Sequence, residues 1–316
     1  MKDLGIPVAF IIGSPRSGTT VMGEILNNHH RISQWYEPYF IWDHFFRENK
    51  HDEREKNDLL PKAKRQITRD FLRYKKKCRT DLIIDKSPRN SLKIPFILEI
   101  FPSAKFIHIL RDGRDVTLSI NKEWIKRRKV TGSGTPAGQF NYLQALSVLK
   151  DWLNRQPFTE DKIRSLWFET RGHISKEKHL NRKRWNGDVG WGPRFEGWDK
   201  VYQSHSLLQF NALQWLKCIK SIEKNWNEIP EKNKIRIRYE NFLSAPEATI
   251  SEVLEFLKVE QHEDFFSNFP RIKKNNKNKW CKYFDKAQAI EIQSIITDKL
   301  IELGYERDPN WSNRVA

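Results

Sequence analysis

Residues 8–12, Val-Ala-Phe-Ile-Ile, are apolar without interruption and run straight into Gly13-Ser-Pro-Arg-Ser-Gly18-Thr-Thr20. Directly afterwards Val21, Met22, Ile25 and Leu26 recur at helical spacing. An apolar run with no alternation suits a strand covered on both faces, as in a parallel sheet. Strand, glycine-rich turn and helix in that order form the opening unit of a phosphate-binding α/β fold. The same run ends too soon, in a turn, to read as a secretory leader.

The unit repeats along the chain. Asp81–Lys86 reads as a short strand, followed by a helical stretch from about Ser91 to Ile100. Lys105–Arg111 reads as another strand, with a helix from about Arg114 to Arg128. Near the far end, 234–240 reads as a strand, and Pro246 opens a helix with Ile250, Val253, Leu254 and Leu257 on one face. This alternation predicts an α/β fold: a central parallel sheet with helices on both faces. A long helix from Leu207 to Trp226 is expected to turn Leu213, Leu216, Ile219 and Ile222 toward the core. The expected organisation is a single domain over 1–316 with an inserted lid or acceptor-side segment at about 126–205, because long irregular stretches inside compact domains are usually functional loops.

Composition narrows the partners. The formal net charge is +17, with 57 Lys and Arg against 40 Asp and Glu, so an anionic partner is expected: a phosphorylated cofactor, an acidic substrate, nucleic acid or a membrane surface. No window of about eighteen apolar residues exists, so no membrane span is expected. Cys78, Cys218 and Cys281 lie far apart, without zinc spacing, which suits a reducing, cytoplasmic compartment. No local pattern of ligands predicts a metal.

The turn has the frame G-x-x-x-x-G, but Thr19 stands where a nucleotide P-loop carries Lys. An anion is still favoured there. Backbone N–H groups converge at a helix N-terminus, the helix dipole adds about half a positive charge, and Thr19, Thr20 and the planar fork of Arg16 add donors. The plain alternative is a tight turn with Arg16 in solvent. A P-loop kinase or NTPase would need the missing Lys.

Ligands of open parallel sheets bind outside the carboxyl ends of the strands. Reading those ends in order gives Arg16, Glu37, Lys86, Arg111 and Tyr239. One carboxylate among several cations suits transfer of an anionic group with the carboxylate as base. Each residue has a bland reading: Glu37 in an ion pair with Arg31 or Arg16, Lys86 in a solvated turn, Arg111 capping Asp112 or Asp115, Ser119 packing a helix.

Together Gly13-Ser-Pro-Arg-Ser-Gly-Thr-Thr20, Glu37-Pro38, Asp85-Lys-Ser-Pro88 and Phe106-Ile-His-Ile-Leu-Arg-Asp-Gly-Arg-Asp-Val-Thr-Leu-Ser119 resemble the sulfotransferases that use 3′-phosphoadenosine-5′-phosphosulfate (PAPS). The resemblance implies a P-loop-like sulfotransferase architecture. It implies a 5′-phosphosulfate loop built from Ser14, Arg16, Ser17, Gly18, Thr19 and Thr20, and Arg111 with Ser119 on the 3′-phosphate. Tyr239, Lys279 and Trp280 are implied near the nucleotide, the last two as a late loop closing over it. The step from Arg16 to Glu37 resembles the tyrosylprotein branch, which implies Glu37 as general base, with Arg16 and Lys86 stabilising the transferring group. The small-molecule branch has a His base after its third strand, where this chain continues Ser87-Pro88. PAPS as donor, its product PAP, no required metal and an acceptor hydroxyl on a glycan, possibly acidic, or another metabolite complete the implied picture.

Other residues carry weaker signals. His108 reads as a satisfied core histidine, and His29-His30 as partners for the last carbonyls of the first helix. Trp185, Trp191 and Trp198 could stack on sugar rings or pack a core. Lys126–Lys129 reads as a solvated helix end. A basic nucleic-acid binder is the competing class, motivated by the charge and by aromatics among Lys and Arg at 182–198 and 271–284, but no nucleic-acid motif supports it.

Overall fold

The computed structural model describes residues 6–46, 49–131, 163, 184–185, 188–189, 191–262, 265–266, 269, 272 and 276–315. Strands β1 (Val8–Ile12), β2 (Ile32–Tyr36), β3 (Leu82–Lys86) and β4 (Lys105–Leu110) precede a two-residue antiparallel ribbon, β5 (Arg184–Trp185) and β6 (Asp188–Val189), and β7 (Lys234–Arg238) follows. The main sheet has the order β2-β3-β1-β4-β7, and every pairing in it is parallel. This is the expected α/β architecture. The register sets Lys86 opposite both Ile11 and Tyr36, so three strands deliver their carboxyl ends to one place.

Both faces of the sheet are covered, which explains the unbroken apolar runs. On one face Phe10, Ile12, Ile83 and Phe106 pack against Trp42, Ile67, Phe71 and Phe96. On the other, Ala9, Ile11, Ile84, Ile107 and Ile109 meet Met22, Ile25 and Leu26 of helix α1 (Thr19–Asn27), together with Ile250, Val253 and Leu254. A third cluster lies among helices and includes Trp124, Phe210, Trp215, Ile292, Ile296 and Trp311.

Several boundaries differ from expectation. Pro88 and Pro95 divide the stretch after β3 into a short 3-10 turn, Pro88–Leu92, and helix α4 (Ile94–Ile100), since each proline favours the first turn of a new helix. Strand β7 stops at Arg238, and Tyr239–Ser244 is already helical. In the helix Leu207–Asn225, Leu216, Ile219 and Ile222 are buried as expected, but Leu213 is only partly covered, and the buried face widens to take in Phe210 and Trp215. Residues 39–80, which carry no motif, hold helix α2 (Tyr39–Asp43) and the long helix α3 (Pro61–Cys78).

Helix α5 (Gly113–Thr131) runs through 126, the start given to the expected insertion. Most of 132–190 lies outside the described residues. Its distal end is no loose lid: Phe195 and Trp198 are core residues, and the Trp198 Nε1–H donates to the Lys50 carbonyl at 2.8 Å. Trp198 therefore packs the protein rather than a sugar, Trp191 is partly buried, and the side chain of Trp185 lies outside the described residues.

Two histidine expectations need correction. His29 donates from Nε2 to the Glu260 carbonyl at 2.9 Å, and its Nδ1 accepts from the Arg31 N–H, so it ties down a distant loop rather than the end of its own helix. His108 is buried in β4 with neither ring nitrogen hydrogen-bonded, and burial pushes it down to about 3, which keeps it neutral.

Candidate active site

The glycine-rich loop turns on Gly18, whose φ of 101° is a left-handed conformation that glycine adopts without strain. Contact demands glycine as well: a Cβ here would sit 2.4 Å from the Tyr239 ring. Inside the loop Arg16 also has a left-handed φ, 66°. The loop is braced from within. The Ser17 hydroxyl donates to the Ser14 carbonyl at 2.6 Å, the Ser14 hydroxyl to the Pro15 carbonyl at 3.3 Å, and Ser91 both accepts from the Gly13 N–H and donates to the Gly13 carbonyl. Ser14 and Ser17 are thus structural hydroxyls here, buried and turned onto their own loop. What the loop presents is the first turn of α1, which has no side-chain cap. Uncapped N–H groups at a helix start are a ready seat for an anion.

Beside this turn lies a cluster drawn from four segments. Arg111 donates from its two terminal nitrogens to the Arg16 carbonyl at 2.9 Å and the Asn276 carbonyl at 2.8 Å, and its guanidinium covers the Tyr239 ring at 4.4 Å. Arg16 Nε donates to the Ser119 hydroxyl at 3.1 Å, and Asn276 donates to the Tyr239 hydroxyl. The structure therefore joins Arg16, Gly18, Arg111, Ser119 and Tyr239 in one group. It gives Arg16 a partner on the Arg111–Ser119 side. Trp280 stands apart: its ring is buried between Arg114 and Trp311, its backbone N–H donates to Asp115 at 3.0 Å, and its indole Nε1 has no hydrogen-bond partner. Lys279, its neighbour, is partly exposed.

A second group forms where β2 and β3 end. Glu37 leaves β2 with a left-handed φ of 48°, a sparsely populated conformation for a non-glycine residue, and its N–H is held by the Lys86 carbonyl at 3.2 Å. Lys86 is 1% exposed at its side chain and donates to Glu37 Oε1 at 2.6 Å, while Glu37 keeps 27% of its side chain open. The ammonium also sits 3.9 Å over the Tyr36 ring, and the lysine stem runs along α1, where a Cβ on Gly23 would lie 3.4 Å from its Cγ. Burial alone would push the Glu37 carboxyl up. The charge and hydrogen bond of Lys86, the Tyr39 hydroxyl and the charge of Arg89 outweigh burial and hold it below the usual carboxylate range. Its partner is Lys86, not the Arg31 or Arg16 of the bland reading; Arg31 pairs with Asp81.

Beneath Glu37 is a buried charge network that sequence reasoning missed. Arg89 lies 4.0 Å over the Tyr39 ring and pairs with Asp43 at 3.3 Å and Asp52 at 3.6 Å. Asp52 accepts from the Arg194 N–H at 2.8 Å, and its own N–H donates back to the Arg194 carbonyl. Burial works against ionised Asp52, but Arg89, Arg194 and Lys93 together hold its carboxyl low. Burial pushes Lys93 down to about 7 and Asp85 up to about 6, the latter despite hydrogen bonds from Ser87 and Trp42. Arg89 sits three residues past Lys86, so adjacency could have pointed to it. Asp52 and Arg194 carry no local signal.

The first group can hold an anionic nucleotide, and the second holds an ionised, reachable carboxylate against a cation. The family model described as the sulfotransferase family matches residues 7–156 and 194–264, well over half of the chain. The chain belongs to the sulfotransferase family. Its fold is similar to that of several solved sulfotransferases at low identity. The sulfotransferase domain of the olefin synthase from Synechococcus PCC 7002 is 15% identical, with 96% of each chain covered and a TM-score of 0.46. A sulfotransferase from Alicyclobacillus acidocaldarius is 12% identical, covering 92% of this chain and 96% of that one, with a TM-score of 0.43. The mouse sulfotransferase SULT7A1, complexed with PAP, is 13% identical, covering 99% and 90%, with a TM-score of 0.46. No curated protein matches the chain. Among the described residues no helix is long and apolar enough to cross a membrane.

Proposed function

We propose that this sulfotransferase moves the sulfuryl group of PAPS to an acceptor hydroxyl, with Glu37 as general base. The observation that carries the reading is the 2.6 Å contact between Glu37 and Lys86 at the carboxyl ends of adjacent strands, next to a helix start with no side-chain cap. The donor supplies an activated sulfuryl group and leaves as PAP. The N–H groups of Gly18, Thr19 and Thr20 would receive the 5′-phosphosulfate, and Arg111, Ser119 and Tyr239 the nucleotide end, with Arg16 between them. Arg111 has a buried Nε with no hydrogen-bond partner, a donor that a phosphate oxygen would satisfy.

In this reading the acceptor oxygen forms its bond to sulfur as the bond from sulfur to the 5′-phosphate oxygen breaks, and the acceptor proton passes to the Glu37 carboxylate. General-base assistance of this kind is worth about 10²–10⁴-fold. Lys86 steadies Glu37 in the ground state and lies where charge develops on the sulfuryl oxygens. A hydroxyl of a glycan or other metabolite is the favoured acceptor. Residues 191–205, which dock on Asp52 and Lys50, are assigned to its side of the site.

Glu37→Gln tests the assignment. It should retain the stabilisation by PAP, about 2.7 kcal/mol at one hundred times Kd and read as a rise in Tm, while sulfuryl transfer from radiolabelled PAPS falls about 10²–10⁴-fold. Full turnover in that variant removes Glu37 as base, and no Tm shift at millimolar PAP removes the donor.

A further inference from the structure

Helix α3 carries eight Lys or Arg and one acid, a net charge of +7 on eighteen residues of a chain whose total is +17. Its inner face is spent on the core through Ala63, Ile67 and Phe71. Lys62, Arg65, Arg69, Arg73 and Lys76 recur every three or four residues, so they form one stripe, and all five are exposed. Lys77 and Arg79 extend it. At a rise of ~1.5 Å per residue the stripe is about 21 Å long, with neighbouring Cβ atoms about 5–6 Å apart. The one acid of the helix, Asp70, is buried and pairs with Arg73 at 3.2 Å, which leaves the stripe strongly positive. The N-terminal end of the stripe approaches the candidate site: the Lys62 ammonium lies 5.7 Å over the Phe45 ring, just past α2, whose first residue, Tyr39, hydrogen-bonds Glu37.

We propose that the outer face of α3 is a docking rail for a linear acidic polysaccharide bearing carboxylate or sulfate groups. Naming that chain as the acceptor rests on the sulfotransfer reading above; the docking itself does not. Arginine forks match carboxylate and sulfate oxygens two at a time, and an evenly spaced row of cations fits a polymer with repeating charge. A membrane is the poorer fit, because interfacial helices bury an apolar face in lipid, whereas the apolar face of α3 is already buried in protein and Leu72 is the exposed apolar residue within the stripe. Single-stranded nucleic acid needs aromatic platforms for its bases, whereas the nearby rings, Phe45 and Tyr74, both pack against the core, Tyr74 stacked on Trp35 at 4.1 Å.

The test uses the full chain, with heparin as acidic probe, dextran as neutral probe, and single-stranded DNA and phosphatidylserine vesicles as rival anions. The triple variant R65E/R69E/K76E should bind heparin at least tenfold more weakly, with a flatter dependence on salt, and dextran should not bind either protein. A control, K220E/K232E/K286E, changes net charge equally at exposed lysines elsewhere and should keep parental heparin affinity. Equal loss in both variants reduces the effect to net charge and overturns the rail, as does unchanged binding in the first. Tighter binding of DNA than of heparin through the same face reassigns the partner to nucleic acid, and vesicle binding lost in the first variant while heparin binding persists reassigns it to a membrane. If the charge reversals unfold the helix, R69Q/K76Q gives the same comparison at smaller amplitude. The Tm shift with PAP is recorded in parallel: its absence while heparin binding follows the rail would sink the donor and leave the docking surface standing.

Discussion

The two halves of the site are built differently. The half proposed to take the nucleotide is a compact loop and two short motifs, with an exposed Arg16 on the Ser119 hydroxyl and with Arg111 held by two backbone carbonyls and one buried acid, Asp115 at 3.5 Å. The half around Glu37 is a buried mesh of side-chain charges, Lys86, Arg89, Asp43, Asp52 and Arg194, drawn from four distant stretches of chain. A backbone seat for an anion needs little side-chain support, because the helix start supplies both donors and dipole. A carboxylate kept ionised inside protein needs compensating cations, and those cations need acids of their own. The halves should therefore fail differently when cut.

The largest difference is expected in stability. Asp52→Ala removes an acid whose charge offsets both Arg194 and Arg89, the latter still paired with Asp43, and breaking a buried charge network of this kind costs about 3–5 kcal/mol. Arg16→Ala removes an exposed side chain with one hydrogen bond, so it should cost no more than about 1 kcal/mol of stability while weakening PAP binding. Urea unfolding of the two variants makes the comparison, and equal losses would erase the distinction between the halves. Lys86→Ala should follow, lowering turnover about 10²–10³-fold, the usual loss when one donor to developing charge is removed. Its acid limb in kcat/KM against pH should also move up, since Lys86 is the strongest influence holding Glu37 low against burial.

The same contrast explains what could be read from the chain. Strands β1, β3 and β4 were legible because burial on both faces leaves unbroken apolar runs, and Glu37, Lys86 and Arg111 because they stand at the ends of such runs or in contiguous motifs. Helix α3 was not, since its apolar face is three residues among eight cations. Asp52 and Arg194 meet across 142 positions, and nothing in either neighbourhood announces the other. A motif records order along the chain and not which way a ring turns, so the packing of Trp280 against Arg114 and Trp311 was not legible. Ser14 and Ser17 sit in the expected loop, yet their hydroxyls stabilise the turn that lets backbone N–H groups face outward.

The smallest expected effect is the sharpest test of the mesh. Tyr39 donates to Glu37 while its ring carries Arg89, so it couples the base to the network without being a charge itself. As the proposed base Glu37 must be ionised to accept a proton, and its depressed carboxyl should therefore set the acid limb of activity below the usual carboxylate range. Tyr39→Phe removes one hydrogen bond to the ionised form and keeps the ring under Arg89. The ionised form is the one that loses, so the carboxyl must rise and the acid limb with it, while kcat on the plateau changes little. A purely structural tyrosine would instead lower the plateau and leave the limb in place. Arg89→Gln should shift the limb in the same direction by less, because Arg89 acts on Glu37 through charge alone and follows Tyr39 in influence. If the arginine variant moves the limb further than the tyrosine variant, the base is governed by the field of the network rather than by its hydrogen bonds.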